Sequence, residues 1–156
     1  MCLNKDDWDG LIHSFVEVLS VEDNCCRDDD MKELDLSGYT KLKELIVGDC
    51  CFKSVERLLI IGLNDLESVV IGCGSFVKKG YNTKNGRDDN RHFCLKNCPK
   101  LRELMIGWKS FLDYCVCEIE NVDSLEVIEM GDLNQKSVNF LYASALELKS
   151  ILIHSE

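Results

Sequence analysis

This chain has a single proline, no long apolar run and no signal-peptide pattern in its first ten residues. It has one proline in 156 residues, which argues against a disordered, low-complexity chain. No stretch approaches the roughly 18 consecutive apolar residues of a membrane-spanning helix. The first ten residues, MCLNKDDWDG, hold three aspartates and no apolar run, unlike a signal peptide. We therefore expect a cytoplasmic protein with no membrane partner, whose ten cysteines are thiols rather than disulfides.

Sequence motifs of enzymes and metal centres are also missing. The chain has no GxSxG nucleophile motif, no GxxxxGK phosphate-binding loop and no GxGxxG dinucleotide fingerprint. The strongest metal candidate is His92-x-Cys94-x-x-x-Cys98, which offers three zinc ligands without an obvious fourth. We therefore expect no enzyme, no cofactor and no bound metal, with a thiol or zinc site as the third alternative for function.

The charge balance of the chain is acidic. Asp and Glu number 28 against 18 Lys and Arg, which gives a formal net charge of −10. A negative protein repels phosphate backbones, so nucleic acid is not an expected partner. Apolar residues make up 46 % of the chain, the proportion of an ordinary globular domain. The expected partner is another protein.

Five segments share the pattern L-x-x-[LVI]-x-[IVM]-G, with His154 in place of the last glycine. They begin at Leu42, Leu66, Leu101, Leu125 and Leu148. Their starts are 24, 35, 24 and 23 residues apart, and the longest interval is one 24-residue unit with an 11-residue insertion. A fainter copy runs through Val16, Leu19 and Val21. Such regular self-similarity is typical of tandem repeats that stack on one another.

Apolar residues alternate within each copy, as in a strand that is buried on one face. Stacking of the copies therefore predicts internal columns of side chains. The first column contains Leu42, Leu66, Leu101, Leu125 and Leu148. The second contains Leu45, Val69, Leu104, Ile128 and Ile151. A further element, [IV]-G-x-x-[SC]-F, predicts a glycine corner and a column of Phe52, Phe76 and Phe111.

The repeat resembles leucine-rich repeats, and its I-G-x-x-[SC]-F element is similar to repeats of the BspA-like surface-antigen type. The resemblance covers about residues 15–154 and follows an N-terminal segment at residues 1–14. We expect a mostly β solenoid of about five coils of roughly 24 residues, with two short parallel strands per coil and little helix. The resemblance implies protein or ligand binding without catalysis.

The insertion at residues 77–92 is a basic loop within an acidic chain. Its basic residues are Lys78, Lys79, Lys84, Arg87 and Arg91. With Asp88 and Asp89 the loop carries +3, which leaves −13 for the rest. Because loops on a rigid scaffold often carry function, these basic residues are candidate partner contacts. The alternative is a hairpin that turns at Asn85-Gly86 and serves only as a spacer.

An outward-facing column is the second candidate surface. The residues between the last two apolar positions of each copy are Ile46, Val70, Met105, Glu129 and Leu152. Four of the five are apolar, which is unusual for a solvated face and favours a partner-binding stripe. The alternative is that turns cover the stripe or that both faces of the sheet are buried. Trp108 is either an exposed contact residue or a partly buried corner residue.

These features lead to two main functional hypotheses. The first is a non-catalytic protein-interaction module that presents a solenoid surface and the basic loop. The second is a structural segment of a longer solenoid, or one that self-associates end to end. The second hypothesis follows from the last copy, where no capping element covers the ladder edge.

Overall fold

The computed structural model describes residues 13–78, 88–131, 138–141 and 145–149. In this part of the chain the fold is mostly β, and the only helix is a 3-10 turn at His13–Phe15. No helix among these residues is long and apolar enough to cross a membrane. The strands are β1 (Val18–Val21), β2 (Glu33–Asp35), β3 (Glu44–Val47), β4 (Arg57–Ile61), β5 (Ser68–Ile71), β6 (Asp88–Lys96), β7 (Glu103–Ile106), β8 (Tyr114–Glu120), β9 (Val127–Met130) and β10 (Ala145–Lys149).

The strands form two parallel sheets of five strands each. The first sheet has the order β1-β3-β5-β7-β9 and the second has the order β10-β8-β6-β4-β2. Consecutive strands thus go to different sheets, and every pairing is parallel. The expectation of a mostly β protein with parallel strands and little helix is confirmed. The division at residue 14 stays a prediction.

The register of the first sheet aligns its inward side chains. Leu45 pairs with Val69, and Val69 pairs with Leu104. All three are buried, as the alternation of apolar residues predicts. The prediction for Ile128 is wrong, because this residue pairs with Leu104 but keeps 41 % of its surface exposed on the last strand of the sheet. Ile151 lies outside the described residues.

The corner after each strand of the first sheet brings backbones into close contact. A Cβ atom at Gly72 would lie 2.6 Å from the carbonyl carbon of Gly48, and one at Gly107 would lie 2.5 Å from that of Gly72. No side chain fits at these distances, so glycine is a steric requirement at these two corners.

The phenylalanine column forms and is longer than expected. Phe52 and Phe76 stack with ring centroids 5.1 Å apart, and Phe76 and Phe111 stack at 4.8 Å. Phe140 continues the stack, with its ring centroid 5.2 Å from that of Phe111 and the two ring planes nearly parallel. Each such contact contributes about 0.5–1.5 kcal/mol beyond area burial. The column therefore joins the corners of successive chain segments.

A polar ladder runs beside the phenylalanine column. The Ser75 hydroxyl donates to the Gly48 carbonyl at 2.7 Å and accepts from the Cys51 amide at 3.0 Å. Ser110 and Asn139 continue the ladder with donations to the next corner carbonyls. Because a buried carbonyl without a donor is costly, this ladder stabilises the corners.

Candidate functional site

Three apolar side chains form a row on the outer face of the first sheet. Ile46 pairs with Val70 and Val70 pairs with Met105, so the three lie side by side on adjacent strands. Ser20 and Glu129 continue the row at its two ends. Ile46 is 37 % exposed, and Val70 and Met105 are partly exposed. We call these three residues the apolar row.

An acidic groove lies beside the apolar row. Its volume is about 420 Å³, and it is lined by Glu44, Glu67, Ser68, Arg102, Glu103 and Glu126. The only basic residue of the lining, Arg102, already contacts Glu126 at 3.2 Å. Three of the four glutamates are therefore left without a basic partner in the lining, and the groove has a net negative charge.

The outer face of the second sheet has a different character. Its charges are paired across neighbouring strands, with Arg57 against Glu33 and Lys96 between Glu118 and Glu120. Cys94 lies in this face, and burial together with the Glu118 carboxylate raises the pKa of its thiol. A face whose charges satisfy one another gives a partner less to bind than the apolar row with its acidic groove.

Part of the expected basic loop is a strand. β6 begins at Asp88, so residues 88–92 do not belong to a loop, and the boundary at residue 92 is wrong. The prediction that Arg91 is an exposed contact residue is also wrong, because its side chain is completely buried. Lys78 is exposed as expected. Lys79, Lys84, Arg87 and Leu152 lie outside the described residues.

Arg91 is buried because other chain segments supply its partners. Its guanidinium lies 3.4 Å from the Asp113 carboxylate, which is also completely buried. It donates to the carbonyls of Lys53 and Phe76 at 2.9 and 3.1 Å, and its Cζ lies 4.9 Å from the Tyr114 ring centroid. Asp113 also accepts from the Lys78 amide at 3.1 Å. This cluster holds together the two ends of the insertion.

Tyr114 belongs to the same cluster, since its ring packs against the Arg91 guanidinium. Its hydroxyl donates to the Val55 carbonyl at 2.6 Å, and burial raises its pKa well above the usual range. Its ring meets Phe111 edge to face at 4.9 Å. The ion pair is therefore joined directly to the phenylalanine column, which gives the insertion a rigid base.

Trp108 is partly buried at the corner that follows β7. The Lys109 ammonium lies 4.4 Å from the centroid of the Trp108 ring. The Trp108 carbonyl accepts a hydrogen bond from the Gly74 amide at 2.8 Å. This position agrees with the interpretation of Trp108 as a partly buried corner residue.

The three residues of the candidate zinc motif, His92, Cys94 and Cys98, do not meet. Cys98 is fully buried, and its thiol donates to the Lys96 carbonyl at 3.4 Å. His92 and Cys94 lie on the outer face of β6 instead. Within the described ranges, no three His, Cys, Asp or Glu side chains form a group that could hold a metal ion.

The cysteines are mostly thiols. Eight of those in the described part of the chain are free. Cys25 is disulfide-bonded, so the expectation of thiols is wrong for this residue.

Sequence reasoning missed Asn139 and Phe140, which complete the polar ladder and the phenylalanine column. The signal was weak, because the copy that starts at Leu125 has no Phe at the usual distance from its glycine. The structure supplies these two residues from further along the chain.

Comparisons with known proteins leave the family open. No protein-family model, no curated protein and no solved structure matches this chain. The assignment of function therefore depends on the geometry described above.

Replacing Asp113 with Ala should destabilise the fold by about 3–5 kcal/mol, because the Arg91 guanidinium would be left buried without its counter-charge. The matched control is Glu33→Ala, which breaks the exposed pair with Arg57 and should cost at most about 1 kcal/mol. Urea denaturation of both variants measures the difference. Equal losses of stability in the two variants would show that the buried Arg91–Asp113 pair contributes no more to stability than an exposed pair.

Proposed function

We propose that this chain is a solenoid of the leucine-rich-repeat type with about five coils. We further propose that it is a non-catalytic interaction module that binds a protein partner on the outer face of the first sheet. Support for the solenoid comes from the pairing distances along the chain. Leu45 pairs with Val69, 24 residues later, and Leu58 pairs with Phe93, 35 residues later. These intervals equal those between the sequence repeats.

The apolar row is the observation that carries the binding proposal. Ile46, Val70 and Met105 form one contiguous apolar strip on a face of the sheet that is partly exposed to solvent. The strip lies in the middle strands of the sheet, where strands on both sides hold the backbone in place. A rigid apolar strip binds without a large cost in ordering its own side chains, and Met adapts to the shape of its partner.

The acidic groove defines the chemistry of the partner. Glu44 and Glu103 flank the apolar row on the same face of the sheet, and Glu67 lies beside them in the groove. A segment that places apolar side chains on the row and Lys or Arg side chains in the groove satisfies both surfaces. The expected partner is therefore a protein segment that combines apolar and basic residues.

Selection from a displayed peptide library tests this proposal. Peptides that bind the chain should be enriched in segments with both apolar and basic residues. Val70→Glu and Met105→Glu should each weaken binding of the selected peptides by about tenfold or more, which corresponds to about 1.4 kcal/mol. The reason is that a carboxylate placed in an apolar contact loses its hydration.

Ile61→Glu is the matched control for these variants. Ile61 is also partly exposed, but it lies on the second sheet, where its cross-strand partner is the basic Lys96. A glutamate at position 61 would therefore face an opposite charge. Unchanged thermal stability in all three variants ensures that binding alone is compared. If Val70→Glu and Met105→Glu retained full affinity, or if Ile61→Glu lost as much, the binding face would lie elsewhere.

A second candidate function is end-to-end self-association, and β9 is the observation that favours it. β9 is the last strand of the first sheet in the described part of the chain. Val127 and Ile128 point to opposite faces of this strand, and they are 37 % and 41 % exposed. A strand from a second copy that pairs with β9 would continue the parallel sheet and cover Ile128.

Sedimentation velocity over a wide concentration range tests the second candidate. If it holds, the wild-type chain forms larger species as concentration rises, and Ile128→Lys sediments as a monomer. Ile46→Lys, which places the same charge on the outer face of the sheet, should assemble like the wild type. A wild-type chain that stays monomeric at the highest concentration excludes this function.

A further inference from the structure

Two exposed thiols lie on neighbouring corners of the fold. Cys50 follows β3 and Cys73 follows β5, and both are exposed free cysteines. The other free cysteines of the described residues are buried, apart from the partly exposed Cys94. The structure thus places two exposed thiols at neighbouring corners, just beyond the strands that carry Ile46 and Val70.

The backbone brings these two residues within disulfide distance. The Cys50 amide donates to the Cys73 carbonyl at 2.9 Å. Adding the standard covalent lengths to this hydrogen bond limits the separation of the two Cα atoms to about 7 Å, and the bond angles bring it lower. Natural disulfides join Cα atoms that are about 4.4–6.8 Å apart.

Gly74 leaves space for the sulfur of Cys50. A Cβ atom at Gly74 would lie 3.5 Å from the Cys50 Sγ, so this sulfur sits against the residue next to Cys73. Because glycine has no side chain, nothing at position 74 stands between the Cys50 sulfur and the corner of Cys73. The sulfur therefore faces the neighbouring corner rather than open solvent alone.

We propose that Cys50 and Cys73 form an oxidisable dithiol that a peroxide closes into a disulfide. In the first step one thiolate attacks a peroxide oxygen, the O–O bond breaks, and a sulfenic acid and hydroxide form. In the second step the other thiolate attacks the sulfenic sulfur, the S–O bond breaks and hydroxide leaves, so that an S–S bond forms. The protons of the two thiols neutralise the two hydroxides. The two cysteines lose two electrons, and hydrogen peroxide is reduced to two water molecules.

Three of the buried thiols in the described part of the chain are protected from this reaction. Burial raises the pKa of the Cys51, Cys98 and Cys117 thiols, in the last case to about 12. Since the thiolate is the nucleophile, these cysteines react slowly at neutral pH. The selectivity therefore arises from the exposure of Cys50 and Cys73 and from their proximity.

Treatment of the full-length chain with hydrogen peroxide, followed by mass spectrometry, tests this site. The chain should lose the mass of two hydrogen atoms. A tryptic digest should then link peptide 44–53, which contains Cys50, to peptide 58–78, which contains Cys73. A reducing agent should separate the two peptides again.

Serine variants identify the sulfur atoms. Cys50→Ser and Cys73→Ser should each abolish the linked peptide. Cys51→Ser should retain it, because Ser75 and Ser110 already occupy the matching ladder position and the substitution preserves the fold. The proposal is overturned if wild-type Cys50 and Cys73 become sulfinic or sulfonic acids without linking, if they link only different molecules, or if Cys51→Ser removes the link.

Discussion

In-register parallel pairing of strands from successive chain segments is the constraint on which the rest of this structure depends. The pairing of Leu45 with Val69 and of Val69 with Leu104 fixes the register of β3, β5 and β7. Because side chains alternate along a strand, this register determines which of them face the core and which face outward. A slip of one residue would expose these three residues and bury Ile46, Val70 and Met105. Burial of Leu45, Val69 and Leu104 therefore places the apolar row on the outer face of the sheet.

The corners make this register rigid. At Gly72 and Gly107 the backbones approach too closely for a side chain, and the polar ladder satisfies the carbonyls that the corners bury. The phenylalanine column fills the space behind them, and its contact with Tyr114 extends to the buried Arg91–Asp113 pair. One connected set of contacts thus fixes the outer face of the first sheet, the base of the insertion and the two neighbouring corners that carry Cys50 and Cys73.

The sequence predicted the parts of the fold that depend on local alternation. Buried residues such as Val69 and Phe76 follow from a pattern read within one copy of the repeat, and the structure confirms them. Arg91 was not predictable in this way, because its partner Asp113 is 22 residues further along the chain and its own neighbours, Asn90 and His92, are polar. The exposure of Ile128 also depends on what lies beside β9 rather than on its own segment. The apolar row was predicted from spacing alone, whereas the acidic groove beside it required the alignment of four strand starts.

Methyl NMR tests the register, and with it the apolar row, most directly. On a chain with labelled Ile, Leu, Val and Met methyl groups, nuclear Overhauser effects should connect Val70 to both Ile46 and Met105. These methyl groups lie on strands about 4.8 Å apart and on the same face. Contacts of the Val70 methyls with core residues such as Leu104, in place of Ile46 and Met105, would contradict the register and remove the proposed binding surface.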